Sequence, residues 1–208
     1  MNNNYSKKTL ILQNWYSCES FIYLILKLFG SGICSIRVLS GFEIAIYVSF
    51  KHIWSLINFF KVHYMMNLTD IKCYDNLSSF FRYFLIYNLK NEKFDICIKL
   101  ICKVKEFSAV VSISSLFKAA NWLEREIFDL FGIFFICHKD LRRILTDYGF
   151  IGFPLRKDFP LSGFIEVYYE DANKTIIYKN LELNQKLRLF DFQNNWNIIT
   201  FIFVVLCF

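Results

Sequence analysis

The segment Ala120–Phe164, ANWLEREIFDLFGIFFICHKDLRRILTDYGFIGFPLRKDFPLSGF, holds both prolines of the chain, four of its seven glycines and four of its seven arginines in under a quarter of the 208 residues. Its periodicity sets where regular structure ends. Leu116, Ala119, Ala120, Leu123, Ile127, Leu130 and Phe131 recur at helical spacing, with Ser112, Ser114 and Ser115 ahead of them as candidate N-caps and Gly132 as the stop. Pro154 and Pro160 force Phe153 and Phe159 into extended backbone and forbid a helix through FPLRKDFP. Between Gly132 and Pro154, Lys139 to Tyr148 reads as a short helix with Leu141, Ile144, Leu145 and Tyr148 on one face and Arg142 and Arg143 projecting away from it. Phe164–Glu170 and Thr175–Lys179 read as a hairpin turning at Asp171–Lys174, with Ile165, Val167 and Tyr169 inward.

Working outward toward the amino end, FDICIKLICKV alternates cleanly, with Phe94, Ile96, Ile98, Leu100 and Cys102 on one face and Asp95, Lys99 and Lys103 on the other. Such alternation describes a strand with one solvated side. Met66–Tyr74 and Phe80–Leu89 read as its neighbours, and Ile36–Phe50 as a strand or hairpin around Gly41. Ile53, Leu56, Ile57 and Phe60 give a helix over His52–Tyr64, and Phe21–Phe29 a short helix ending at Gly30. The expected fold is α+β: a two-layer sandwich of a mostly antiparallel sheet with helices, followed by an extended, partner-wrapping C-terminal arm with a hairpin. The expected divisions are an N-terminal extension (1–35), an α/β domain (36–131) and the arm (132–208). An apolar stretch as long as 132–163 with little regular structure would leave Phe134, Phe135, Tyr148, Phe150 and Phe153 wet if it were disordered, which favours an ordered wrapping surface.

Bulk properties exclude several classes. A chain of this length buries about 70% of its unfolded surface, so it needs no disulfide staples. Phe 25 and Tyr 12, with abundant Ile, Asn and Lys, follow AT-rich codon usage of the organelle-genome type. No run reaches the ~18 apolar residues of a membrane span; Phe21–Phe29 is broken by Lys27, and Ile198–Phe208 has 11 residues. Seven cysteines form no CxxC, and three histidines are too few for a multi-histidine metal centre. The net charge of +6 is not a nucleic-acid signal, because residues 121–171 carry nine acids against six bases.

Glu124, Arg125, Glu126 and Asp129 invite an acid-base reading, but Glu124 and Glu126 point about 200° apart on a helix and cannot share a proton site. With no nucleophile or Gly-rich loop beside them, a structural ion network through Arg125 and Asp129 is the stronger reading. Arg142, Arg143, Arg156 and Lys157, with Asp158, read as recognition of carboxylates on another chain or on the helix carrying Glu124, Glu126 and Asp129, since arginine's planar fork suits that task. A plain solvated face is the alternative. His138, beside Cys137, lacks further ligands and reads as a capping or hydrogen-bonding group.

The same residues carry a family signature: E-R-E, two residues, an acid, two apolar residues, six residues, His or Lys, three residues, a base, one residue, two apolar residues. Glu124-Arg125-Glu126, Asp129, Leu130-Phe131, His138, Arg142, Ile144 and Leu145 meet every position, and the likeness continues through DLRRILTDYGF, PLRKDFPLSG, Glu166-Val167 and Trp196. The chain thereby resembles the 30-kilodalton-type (C-type, or subunit 9) family of respiratory complex I. The resemblance implies a non-catalytic structural subunit of the hydrophilic, matrix-side arm of NADH:ubiquinone oxidoreductase. It implies a peripheral place on the mitochondrial inner membrane, encoding in the organelle, and no flavin, iron-sulphur cluster or quinone held by this chain, although the parent complex uses FMN, iron-sulphur clusters and ubiquinone. The implied partners are the 49-kilodalton-type quinone-site subunit and, nearby, the 20-kilodalton-type iron-sulphur subunit. Glu124, Arg125, Glu126, Asp129, His138, Arg142, Arg143, Arg156, Lys157 and Asp158 are the candidate partner-contacting residues. An equivalent subunit of a chloroplast or bacterial NDH-type complex and an organelle ribosomal protein are the competing readings.

Overall fold

The computed structural model describes residues 21–40, 43–91, 96–185, 187–188 and 190. The amino end up to residue 20, Gly41, Phe94, Asp95, Trp196 and the apolar tail Ile198–Phe208 lie outside the described residues. A helix over 21–29 (α1) opens the described chain. Strands β1 (Ile33–Ser40) and β2 (Glu43–Val48) follow, then helix α2 (Ile53–Tyr64) and the strands β3 (Asn67–Asp75), β4 (Tyr83–Asn91) and β5 (Ile96–Val104). They form one sheet in the order β1-β2-β5-β4-β3.

Within this sheet the β2–β5 pair is parallel and the other three are antiparallel. The meander β3-β4-β5 turns back twice, so β5 arrives beside β2 running the same way, with α2 in the connection, as parallel pairing requires. The sheet is mixed and mostly antiparallel. Its register aligns Ile46, Leu100, Tyr87 and Ile71 across four strands, and all four side chains are buried. The opposite parity carries Tyr47, Ile101, Lys103, Phe84 and Tyr74, so the alternation read from FDICIKLICKV is the alternation of the whole sheet.

The buried face is covered by α2 through Ile53, Leu56, Ile57 and Phe60, all fully buried, and by helix α3 (Lys118–Phe131) through Ala120, Ile127 and Phe131. Each buried Ile, Leu or Phe there contributes about 1.5–3 kcal/mol of transfer free energy. Lys61 of α2 donates to the Leu116 carbonyl and lies 5.0 Å from the Phe117 ring centroid, which ties α2 to the chain entering α3.

Several expectations are corrected. Helix α3 starts at Lys118 with Phe117 as an extended N-cap making no side-chain cap bond, because the hydroxyls of Ser112 and Ser114 are bonded to each other instead. Ala119 is accordingly exposed. Past Gly132 the chain adds a three-residue strand, β7 (Phe134–Ile136), parallel to β6 (Ala109–Val111); both are too short for a period to show. No helix forms over Lys139–Tyr148, which has only bends and a turn. Tyr148 and Leu145, expected on an apolar face, are 97% and 56% exposed.

The chain divides into two compact units, the first ending at Leu161 and the second beginning at Ser162. The arm expected from Gly132 is therefore not separate there: residues 132–161 belong to the same unit as the sandwich. In the second unit, β8 (Ile165–Glu170) and β9 (Thr175–Asn180) form the expected antiparallel hairpin. Its Ile165, Val167 and Tyr169 share a face with Ile176 and Tyr178, and all five are exposed rather than inward.

Candidate functional site

Helix α3 delivers two carboxylates into the interior, and each organises a different piece of chain. Glu124 is fully buried. It accepts hydrogen bonds from the Ser112 hydroxyl at 2.5 Å and the Ile113 amide at 2.8 Å, so it holds the segment between β6 and α3 against the helix. Burial pushes its carboxyl up to about 7, against the opposing pull of those two donors. The buried His138 ring lies beside it, Nε2 3.9 Å from Oε2. The His138 Nδ1 accepts the Asp140 amide at 3.1 Å, which leaves Nε2 to donate to the Asn121 carbonyl at 3.3 Å.

Asp129 is buried on another side of the same helix. Its Oδ2 accepts the amides of Ile144, Leu145 and Thr146 at 3.2, 2.7 and 2.9 Å, and its Oδ1 accepts the Thr146 hydroxyl at 2.6 Å. Burial alone would raise this carboxyl, but the Thr146 hydroxyl and amide and the neighbouring amides hold it below the ordinary carboxylate value. This cradle replaces the expected helix over Lys139–Tyr148, since three consecutive amides turned to one acceptor cannot all enter an i to i−4 ladder.

The carboxyl end of α3 is closed by the second half of the motif. Gly132 adopts φ +77° and donates its amide to the Phe128 carbonyl. A Cβ there would meet Arg156 Nη2 at 2.6 Å and the Phe153 ring at 2.7 Å. Leu155 donates its amide to the Leu130 carbonyl at 3.1 Å, and Arg156 donates Nε–H to the Phe131 carbonyl at 2.7 Å. A cation is thus placed at the negative end of the helix. The Arg156 guanidinium lies 4.3 Å from the Phe153 ring centroid.

A residue that sequence reading passed over ties this end to the sheet. Arg82 bridges Asp75 through two bonds of 2.9 and 3.0 Å, Glu106 at 3.0 Å and Asp158 at 2.9 Å. Glu106 also meets Arg156 at 3.3 Å, and Asp75 accepts the Lys157 amide at 2.9 Å. Although Asp75 is buried, its bonds to Arg82 and Lys157 hold its carboxyl below the ordinary value. The hairpin register offered a signal, because Asp75 faces Tyr83 and so puts Arg82 at the mouth of the β3–β4 turn.

The candidate residues thus separate. Glu124 with His138, Asp129 with Arg143, and Arg156, Lys157 and Asp158 with Arg82 form three intrachain clusters. The expected ion pair between Arg125 and Asp129 is not formed: Arg125 donates to the Arg142 carbonyl at 3.1 Å and lies 5.5 Å from the Trp122 ring. Arg143 does not project outward; its Nη1 donates to the Gly152 carbonyl at 3.1 Å and stands 3.5 Å from Asp129. Arg142 does project, its side chain 72% exposed and paired with Asp140 at 3.0 Å. Glu126 is half-buried and joins none of the clusters. Among the described residues no group of three or more His, Cys, Asp or Glu could hold a metal ion, and no helix is long and apolar enough to cross a membrane.

Around these buried clusters the motif segment leaves Trp122, Phe134, Leu145, Tyr148, Ile151 and Leu161 exposed. A match to the family described as respiratory-chain NADH dehydrogenase, 30 kDa subunit, spans residues 46–165, from β2 through the Asp129 cradle to the start of β8. The chain belongs to this family. The chain is 39% identical over 190 residues to the NADH-ubiquinone oxidoreductase subunit 9 of Reclinomonas americana, covering 90% of this chain and 92% of the relative. It is 50% identical over 132 residues to the subunit 9 of Acanthamoeba castellanii, covering 64% and 67%. An Arabidopsis thaliana relative, NADH dehydrogenase [ubiquinone] iron-sulfur protein 3, is 43% identical over 148 residues, covering 70% and 78%.

Two solved structures share the fold. A chain of the archaeal membrane-bound sulfane sulfur reductase superposes with TM-score 0.60 at 20% identity, covering 70% of this chain and 86% of that one. The trypsin-resistant fragment of Nqo5 superposes with TM-score 0.51 at 22% identity, covering 58% and 98%. Family membership supports the role the resemblance implied, a structural subunit of the hydrophilic arm of respiratory complex I, and does not favour the ribosomal or plastid-type alternatives.

Proposed function

We propose that this chain works in complex I as a non-catalytic architectural subunit, peripheral on the matrix side of the mitochondrial inner membrane and encoded in the organelle. In this reading it holds no flavin, cluster or quinone. It lies against the 49-kilodalton-type quinone-site subunit, with the 20-kilodalton-type iron-sulphur subunit nearby, and helps fix the arm through which electrons pass from NADH to ubiquinone while protons are translocated.

The observation that carries this reading is how the signature charges are used. Glu124 and Asp129 are buried and bonded to backbone and hydroxyl donors of their own chain, which leaves them shaping a surface rather than meeting a substrate. In the first unit that surface is apolar and wet, with Tyr148 and Ile151 97% and 75% exposed. The second unit has an apolar face of its own, where the β8–β9 hairpin exposes Ile165, Val167, Tyr169, Ile176 and Tyr178. A two-stranded hairpin is marginal without cover, and exposed apolar faces of this kind mark protein interfaces. The partner-wrapping role expected of the chain from Gly132 onward thus has exposed apolar side chains to serve it in each unit.

The test is native electrophoresis of mitochondrial membranes, with this chain detected beside in-gel NADH oxidation and NADH–quinone activity. Co-migration with the active band, and loss of that band on depletion of the chain, is the expected result. A chain that migrates apart from the activity overturns the reading. So does stoichiometric iron, zinc or flavin in the purified chain, since the architectural role assigns it none.

A further inference from the structure

The helices cover one face of the sheet; the other carries a groove of about 520 Å³ whose walls include Cys34, Arg37, Tyr47, Tyr74, Phe84 and Lys103. The sheet register explains most of the composition, since every second residue of each strand faces this side, and Cys34 joins the wall at the register shift between Ile33 and Ser35. Its charges are unbalanced. Among the described strand residues, Arg37, Lys72, Lys90, Lys99 and Lys103 have this parity, against Glu43 and Asp70. The two acids are engaged by Lys99 at 2.8 Å and Lys72 at 3.4 Å. The two cations of the groove wall are held on aromatic rings instead: Arg37 lies 5.4 Å from the Tyr47 centroid and Lys103 5.6 Å from that of Phe84. At the neighbouring rim Lys105 sits 4.4 Å from Phe80 and 5.7 Å from Phe81, and Phe80 is 78% exposed.

We infer that this groove is a second docking site, which receives an acidic, aromatic- or aliphatic-anchored segment of another protein subunit of the same complex. The inference rests on the chain's place in a multi-subunit complex. A concave wall of Tyr, Phe and Arg is the composition of an interface centre, where rings fill space and desolvated cations meet carboxylates. A second copy of this chain is the wrong occupant, because a two-fold contact through this groove would set one basic wall against another. Single-stranded nucleic acid stacks bases on open ring faces. Here Tyr74 and Phe84 lie on one another, centroids 4.7 Å apart and planes at 7°, and Lys103 and Arg37 occupy further ring faces.

Cys34 is an exposed thiol in the groove wall and reports directly on its cover. Maleimide labelling of Cys34, located by peptide mapping, is compared between the free full-length chain and the NADH-oxidising band of a native gel. The expected result is labelling slower by at least about tenfold in the band, the factor equal to 1.4 kcal/mol of protection. A photo-crosslinking residue placed at Ser35 should capture a peptide of another subunit of that band bearing two or more carboxylates beside an apolar residue. Equal labelling in the two states overturns the inference, as does a cross-link to RNA, lipid, a second copy or a peptide without carboxylates. A chain absent from the active band overturns the architectural role itself and this site with it, whereas a chain present in the band with Cys34 freely labelled overturns only the site.

Discussion

Asp129 and Thr146, 17 residues apart, are joined twice: the Thr146 hydroxyl donates to Oδ1 at 2.6 Å and its amide to Oδ2 at 2.9 Å. One carboxylate on α3 thereby shapes the first turn of DLRRILTDYGF that carries exposed apolar side chains. Replacing Asp129 with Asn removes the charge and one strong acceptor while leaving the side chain's size unchanged. The expected loss is roughly 1–3 kcal/mol in urea unfolding of the full-length chain. Hydrogen exchange should show Ile144, Leu145 and Thr146 losing protection first, and unchanged protection there would contradict the cradle.

Glu124 and Asp129 predict opposite pH dependences. The folded-state pKa of Glu124 is raised from 4.5 to about 7. The native chain then holds more protons than the unfolded one across that window, so this group's contribution is full below 4.5 and is lost as pH rises toward 7. Glu124→Gln, which can still accept from Ile113 and donate to Ser112, should flatten the decline, on the order of 2–3 kcal/mol between pH 4.5 and 8. Asp129 and Asp75 are held below 3.8. Their contribution is full above that value and lost only as pH falls through the lower folded pKa. Urea midpoints at pH 5 and pH 8 for the parent chain and Glu124→Gln decide the first claim, and parallel slopes in the two proteins would refute it.

Arg82 is the fastening between the sheet and residues 153–158. Arg82→Met leaves Asp75, whose side chain is 1% exposed, as a buried carboxylate without its cation, and a break of that kind costs about 3–5 kcal/mol. Arg82→Lys should recover little, because a single ammonium cannot reproduce the two-bond fork on Asp75 together with the contacts to Glu106 and Asp158. Limited proteolysis should then cut near Lys157 in both variants and not in the parent chain.

Local periodicity was enough for the sheet and α2, because burial there repeats every second residue or every 3.6. FDICIKLICKV and Ile53-Leu56-Ile57-Phe60 each announced their buried side. The segment from Gly132 to Leu161 was not legible in that way. Asp129 reaches 15 to 17 residues ahead to collect amides, and Asp75 reaches 82 residues to Lys157. A long-range acceptor leaves no trace in local spacing, so an apparently sound helix over Lys139–Tyr148 gave way to a turn. The signature residues themselves were found, but not their use: Glu124 looked like part of an ion network and is instead a buried anchor for backbone. Arg82 and Glu106 were missed because neither lies in a charged run or a motif.

Arg142 and Arg143 separate assembly from stability. Adjacent in sequence, both were expected to recognise a carboxylate on another chain or on α3; Arg143 stands 3.5 Å from Asp129 of α3, and Arg142 is the one left available to a partner. Its side chain is 72% exposed and, among the described residues, its ion pair is with Asp140, itself 53% exposed, a pair worth little in water. Arg143 donates to the Gly152 carbonyl and to Thr146 and lies 5.1 Å from the Phe153 ring centroid, so it holds its own chain together. Arg142→Ala should leave the urea midpoint of the full-length chain within about 0.5 kcal/mol of the parent. The same variant should lower the amount of assembled complex I on native gels. Arg143→Ala should destabilise the chain by roughly 1–3 kcal/mol, because the Gly152 carbonyl loses its charged donor. Normal assembly with Arg142→Ala would remove this arginine from the docking surface, and an unshifted midpoint with Arg143→Ala would place its role between chains after all.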